Sequence, residues 1–364
     1  VTREAIAESF ELQATWCAAM SSPLYAELLV VAADDLRGGG PVEQVVGDYD
    51  EEPVAAALAL RFLGGVHRLV LMGLADRLAT HYPSVGGEPD SVTLADDFLA
   101  AVAAHRGYLR SALRIAPQTN DIGRSAALLP AIGAALDGRR LRIRMLELGA
   151  AAGLNLLVDR YRYDMGRWQW GAPGSPLVSG RWGGPHPAVP KRLDVVERRG
   201  CDIAPIDVGD AEARLRILSF VWPDHHDRME RMQAAIRVAR AEPPAVDRAD
   251  APSWLANRLD EPSPRRTLTV VQHSVMWQYL PADARTSILR TLDTAGQNAT
   301  GSRPLAHVSF EPGHDRDAGS GFAIVVRTWP GGEERMLGTG HAHGRWIEWG
   351  EPSPGPVASS RDAQ

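Results

Sequence analysis

Four segments set small or polar residues where an apolar run breaks off: LELGAAAGLN (146–155), RRGCDIAPID (198–207), AVDRADAPSWL (245–255) and VVQHSVMWQYLP (270–281). In the first, Glu147 precedes Gly149, three alanines and Gly153, and a helix is expected to follow. Such a turn lets the main chain approach a ligand, and the first amides of a helix supply hydrogen-bond donors. Asn155 closes the turn and is grouped with Glu147, Gly149 and Gly153 as a candidate cofactor-binding residue. Asp202 ends the second run, where a carboxylate can accept hydrogen bonds from two ribose hydroxyls. Asp250 and Ala251 end the third, placed to receive an adenine amino proton. His273 and Ser274 end the fourth, also as candidate cofactor contacts. An imidazole with an ordinary pKa of about 6.5 suits proton removal near neutrality, which makes His273 the first candidate for a general base.

Each of these residues alone reads equally well as a helix cap, a packing turn or a strand-end hydrogen bond. Their ordered recurrence is the signal, because ligands of open α/β sheets bind outside the carboxyl ends of the strands. Tyr279 joins His273 as a candidate catalytic residue, while Tyr161, Tyr163 and Trp277 are candidates to wall a pocket. In APQTNDIGRS (116–125), Asn120, Asp121 and Arg124 either cap the apolar helix behind them or fold over the crevice. In the second case Arg124 would grip a carboxylate with its two-pronged guanidinium. Histidines 225, 226, 341 and 343 lack a third ligand at suitable spacing, so no metal site is expected.

The elements that must position these residues change character along the chain. Residues 1–138 read as successive helices, with a stretch from Leu58 to Met72 apolar on most sides, as in a helix buried among others. From 139 to 350, short apolar strands alternate with helical stretches, the pattern of an α/β layer fold. LLVDRYRY (156–163) is expected to be the helix after the first strand. A Gly-, Pro- and Trp-rich insertion at 164–192 reads as a hairpin or lid, and 351–364 as a disordered tail.

Composition removes several classes. Lys191 is the only lysine, so a phosphate-cradling Gly-x4-Gly-Lys loop, a Schiff-base enzyme and a Tyr-x3-Lys dehydrogenase all lack their key residue. Cys17 and Cys201 are too far apart in sequence to suggest a cysteine zinc motif, and read as buried thiols of a reducing cytoplasm. A net charge of -6 argues against a nucleic-acid partner, and no run of about 18 apolar residues suggests a membrane span. An esterase built on Ser274 and His273 lacks a Gly-x-Ser-x-Gly elbow, and adjacent strand residues point to opposite faces. The expectation is a cytoplasmic protein with a small-molecule substrate and a candidate homodimer.

The order LELGxxxG, GCDIAP, DRADA, VVQHSVMWQYLP, FEP resembles the class I S-adenosylmethionine-dependent methyltransferases. More narrowly, PQTNDIGRSAALLP, ELGAAAGLNLLVDRYRY and HSVMWQYLP make residues 1–350 resemble a bacterial methyltransferase-like family known as domain of unknown function 2332. The resemblance implies a Rossmann-like core with a seven-stranded sheet behind an all-helical N-terminal subdomain that acts as lid or dimer surface. S-adenosylmethionine would be the cofactor, its methionine part cradled by Glu147, Gly149 and Gly153, its ribose bound by Asp202 and its adenine by Asp250 with Ala251. His273 would face the methyl acceptor; the alternative is a protein that binds the cofactor or its by-product without catalysis. Two departures stand out. The turn has alanines where G-x-G-x-x-G would need further glycine, and 53 residues separate Gly149 from Asp202 where about 20 are usual. Glu197, on the same strand as Asp202, is therefore a rival for the ribose.

Overall fold

The computed structural model describes residues 1–313 and 321–350; the expected tail at 351–364 lies outside the described residues. The chain divides into two compact units, one of Val1–Thr119 with Asp207–Gln233, the other of Asn120–Ile206 with the chain from Ala234 onward. The boundary thus falls at 119/120 rather than at 138/139, and a segment from the middle of the chain joins the helical unit. Among the described residues no helix is long and apolar enough to cross a membrane.

The first unit contains α1 (Arg3–Ala19), α2 (Pro23–Gly38), α3 (Glu43–Val46), α4 (Leu58–Leu71), α5 (Asp76–Ala79), α6 (Leu94–Ala104) and α7 (Arg106–Ala112). As its composition predicts, α4 is buried on nearly every side. The Phe62 ring stacks on Phe10 at 5.8 Å between centroids and meets Phe98 edge-on at 6.1 Å. The segment 207–233 belongs here because His67 of α4 is buried, with Nδ1 3.2 Å from the Ser219 carbonyl and Nε2 2.7 Å from Ser84 Oγ. Burial holds this imidazole down to about pKa 4, so it packs as a neutral ring.

In the second unit, α8 (Ser125–Leu136) covers the sheet and is apolar around almost its whole circumference. Five strands run parallel in the order β7-β6-β1-β8-β9: β1 Arg142–Leu148, β6 Val195–Asp202, β7 Ala245–Arg248, β8 Thr267–Ser274 and β9 Leu305–Pro312. All eight residues of β8 are buried, as in strands covered on both faces. β10 (Phe322–Trp329), β11 (Glu333–Gly340) and β12 (Trp346–Trp349) continue from β9 as an antiparallel meander, and β5 (Arg181–Gly183) pairs with β12. The sheet is therefore nine-stranded and mixed, not the expected seven-stranded one. The meander extends it, and the insertion lends a strand to its open edge.

Two more strands of the insertion, β3 (Gln169–Trp170) and β4 (Leu177–Ser179), flank β2 (Arg162–Asp164), which leads into it, in a small sheet of order β3-β2-β4. Its tryptophans are packing residues. Trp168 lies 5.7 Å from Tyr163 and 5.4 Å from Trp182, which in turn contacts Trp349 of β12. Helices α9 (Ala211–Ser219), α10 (His226–Ala241), α11 (Ala251–Asp260) and α12 (Ala282–Gln297) complete the chain, and the division between units falls within α10. α11 and α12 bury Trp254, Leu255, Ile288 and Leu292 with Leu146, Leu148 and Val271 of the sheet.

α9 packs on α4 at Gly64, where a Cβ would lie 2.5 Å from the Phe220 ring. Gly64→Ala is expected to lower stability by about 1–3 kcal/mol in denaturant titration, although alanine is the better helix former. A gain in stability would show that the helices do not approach so closely.

Candidate functional site

The turn after β1 is built from left-handed backbone. Gly149 (φ +66°), Ala151 (φ +50°) and Gly153 (φ +71°) alternate with ordinary residues. Gly153 also admits no side chain, since a Cβ would sit 2.6 Å from Pro244 Cγ. Ala151 has a Cβ and bears a cost of about 1–2 kcal/mol in this region. It is held there by Asp202, whose Oδ2 accepts the Ala151 N–H at 2.9 Å while Oδ1 accepts that of Ala204 at 2.8 Å. The second-strand carboxylate thus positions the first-strand turn.

No α-helix follows. Residues 154–160 form 3-10 turns broken at Leu157 (φ -102°), and β2 starts at Arg162. The Tyr161 hydroxyl donates to the Leu154 carbonyl at 2.6 Å and the Tyr163 hydroxyl to that of Val158 at 2.7 Å, occupying acceptors that helical amides would use. Both tyrosines are core residues rather than pocket walls. The Leu154 N–H, expected to face a ligand, donates to Asn120 Oδ1 at 2.9 Å. Asp121 caps the turn at Ile122–Arg124, and Arg124 Nη1 donates to the Ser274 carbonyl at 3.2 Å. The 116–125 segment therefore caps a 3-10 turn ahead of α8, and its Arg124 reaches the backbone at the end of β8.

Behind the turn lies a group of buried polar side chains. Register pairs Glu147 of β1 with Gln272 of β8, and Gln272 Nε2 donates to the Asn155 carbonyl at 3.0 Å. Glu147 Oε2, Gln272 Oε1 and both side-chain polar atoms of Asn155 are buried with no hydrogen-bond partner. Burial pushes Glu147 up to about 8, with the Gln272 amide and the Arg124 charge opposing and the Asp202 charge adding to the rise. At neutral pH its carboxyl is protonated. Unpaired buried polar atoms each cost about 1–3 kcal/mol, and their concentration at one strand end marks a place with spare hydrogen-bonding capacity.

On the other face of β8, His273 sits opposite Ser309, so its diagonal neighbours on β9 are His307 and Glu311. Glu311 Oε1 lies 2.7 Å from His273 Nδ1 and accepts the Met276 N–H at 3.1 Å. His273 Nε2 is 2.9 Å from His307 Nε2, and Trp277 stacks on the imidazole at 4.9 Å and 13°. Burial, reinforced by His273 and Arg327, holds His307 well below the usual histidine range, so it is neutral and its Nε2 either donates to His273 or accepts from it. Both nitrogens of His273 are thus engaged, one by a carboxylate that orients the ring. Val275, next after Ser274, has φ +54°, a rare conformation for a β-branched residue, at the mouth of the strand.

The remaining candidates are spread around this centre. Asp250 is exposed and caps α11 through the Ser253 N–H at 3.0 Å, with Ala251 as the first helical residue. Ser274 is buried, and Tyr279 is 76% exposed. Glu197, the other carboxylate named for the ribose, lies toward the start of β6 and is engaged in ion pairs. It pairs with Arg144, three positions back from Glu147, and ion-pairs with Arg144 at 2.8 Å and with Arg258. His225 is buried, with Nε2 3.1 Å from the Met20 carbonyl. His307, Glu311 and Gln272 were not singled out from sequence. The polar residues His307, Ser309 and Glu311 at every second position of PLAHVSFEP were the available signal.

The parallel strands follow the order 3-2-1-4-5 of doubly wound sheets, in which the crevice at the switch point lies between the first and fourth strands, here β1 and β8. An α/β protein with such a strand order is consistent in a general way with nucleotide- and cofactor-binding folds. The chain belongs to the family described as "Uncharacterized protein conserved in bacteria (DUF2332)", which it matches over residues 7–349. No curated protein matches it.

Asp202→Ala is expected to cost about 1–3 kcal/mol in chemical denaturation, because it strands two backbone amides. A loss below about 0.5 kcal/mol would mean that they find other partners. For Glu147 the folded pKa of about 8 exceeds the unfolded carboxyl value, so wild-type stability declines from about pH 4.5 to pH 8 as only the unfolded state ionises. Glu147→Gln should flatten that decline, which reaches at most about 1.4 kcal/mol per pH unit. Superimposable pH profiles for the two proteins would exclude a buried, protonated Glu147.

Proposed function

We propose that this protein binds S-adenosylmethionine at the carboxyl ends of its parallel strands and transfers the methyl group to a small molecule. The observation that carries the reading is the set of buried, unpartnered polar atoms of Glu147, Asn155 and Gln272 directly behind the left-handed turn at the switch point. These donors and acceptors fit the ammonium and carboxylate of an amino-acid moiety, and Glu147 gains a cation that favours its ionised form. When bound, the sulfonium supplies an activated methyl group, and the protein needs only to align the acceptor and exclude water.

Within this reading Glu147, Gly149, Gly153 and Asn155 hold the methionine end. Asp202 keeps one further lone-pair direction on each oxygen for the ribose while it holds the turn, and Asp250 with Ala251 borders the adenine. Asn120 and Arg124 brace the loop beside Ser274. His273, oriented by Glu311, takes the acceptor's proton once its bond to His307 is given up, and Trp277 and Tyr279 stand at the outer edge. One observation favours a second reading, cofactor binding without transfer: neither nitrogen of His273 is free to accept a proton.

Calorimetric and thermal titration with S-adenosylmethionine and S-adenosylhomocysteine tests both readings. At about 100 times the dissociation constant, ligand should add about 2.7 kcal/mol and raise the midpoint by about 2–4 °C. At pH 7 binding should release a proton from Glu147, making the heat depend on buffer ionisation enthalpy, and Glu147→Gln should abolish that dependence. Asn155→Leu should lose binding while staying folded. A folded wild type that binds neither compound ends the proposal, and binding without any methylated product across an acceptor panel selects the second reading.

A further inference from the structure

The opposite end of the sheet carries a feature that the proposed site does not use. Three basic doublets, Arg139-Arg140, Lys191-Arg192 and Arg265-Arg266, are widely separated in sequence. Parallel pairing gathers them at the amino-terminal ends of the strands. The Arg142 N–H donates to the Arg266 carbonyl at 2.9 Å, and the Ile143 N–H to that of Asp194 at 2.8 Å, joining the starts of β1, β8 and β6. Gly133 lets the 188–189 segment pass against α8, where a Cβ would lie 2.7 Å from the Ala188 carbonyl oxygen. The result is a cavity of 740 Å³ lined by Arg139, Arg140, Arg142, Arg192, Arg265 and Arg266.

All six arginines are exposed, and among the described residues none of them is ion-paired. Many other arginines of this acidic chain do have a carboxylate partner, such as Arg37 with Glu4 and Glu11 or Arg199 with Asp247. Asp194 is the one acid in the lining. Arg139 donates to the carbonyls of Leu136 and Ala135 at the end of α8 and Arg142 Nη2 to that of Arg265 at 2.9 Å, which leaves the guanidinium groups of Arg140, Arg192, Arg265 and Arg266 to face solvent or a ligand. Leu136, Ile143, Val189 and Leu193 supply an apolar wall.

From this geometry we propose a second binding site, specific for a small phosphate-rich anion. Clustered guanidinium groups match phosphate oxygens two at a time, and a cavity of this size suits a small molecule with an apolar body beside its phosphates. A net charge of -6 opposes a long nucleic-acid track, whose phosphates would extend past the cavity onto acidic surface. The site lies about 20 Å from the switch-point crevice, the length of β1, so the two can be occupied independently.

Calorimetric titration of the full chain with adenosine triphosphate and with inorganic tripolyphosphate, at about 50 mM and about 200 mM salt, tests the proposal. Both should bind at the lower salt and weaken at the higher. Arg140→Glu/Arg265→Glu should weaken them at least about tenfold, whereas the same charge change at exposed Arg167 and Arg290 should not. Asn155→Leu should bind as wild type does, separating this site from the crevice. Tighter binding of adenosine triphosphate assigns the ligand to nucleotides through the apolar wall, and equal binding assigns it to the phosphate chain alone. Absence of binding at low salt, equal losses in the two charge-reversal variants, or tighter binding of duplex DNA than of either small anion would overturn the proposal.

Discussion

The second unit depends on β1 being held between two parallel neighbours, and the Asp202 carboxylate is the clasp at its working end. One oxygen fixes the left-handed Ala151 and the other fixes Ala204, so the turns after β1 and β6 are bound to a single side chain. Its backbone carbonyl also accepts the Ala249 N–H at 3.1 Å, extending the same anchor to β7. Without it the glycines would still permit the turn, but only backbone bonds such as Ala150 N–H to the Cys201 carbonyl and the Asn120 contact would select it from the other conformations open to a chain so rich in glycine and alanine. What a motif reading assigns to ligand recognition is here first a structural duty.

The two faces of β8 carry different chemistry because side chains alternate along a strand. One face sends Gln272 toward Glu147 and Asn155, where polar atoms are buried and underused. The other sends His273 between Glu311 and His307, where the hydrogen bonds of the imidazole are complete. Spare hydrogen-bonding capacity leaves room for a partner, whereas a satisfied network rigidifies and orients its members. The two lie adjacent at one strand end, beside a strained Val275.

Much of this was legible in the sequence for a physical reason. Strands buried on both faces read as apolar runs, and a polar residue that ends such a run stands at the sheet's edge, so β1 and β8 and their terminal residues could be named in advance, whereas the charged β6 and the short, partly exposed β7 were legible only from their place in the alternation of strands and helices. Local chemistry also exposed the turn, since Gly149 and Gly153 with three small alanines between them permit the left-handed backbone found there. The helix expected after β1 failed because two tyrosine hydroxyls, seven and five residues downstream of their acceptors, return to its carbonyls, a competition that hydrophobic period does not reveal.

Tertiary structure alone decided the rest, wherever the answer turns on which distant segments share a neighbourhood. Register across strands placed Glu197 away from the crevice and brought His307 and Glu311 to His273. Long-range packing moved 207–233 into the helical unit and gave a strand of the insertion to the sheet edge. Parallel pairing gathered three basic doublets into one cavity. The sequence by itself determined the alphabet of the site and the strand ends that carry it, because those follow from burial and local backbone freedom. Partners, protonation and the division into units follow from contacts between residues tens to hundreds of positions apart, and those exist only once the chain has folded.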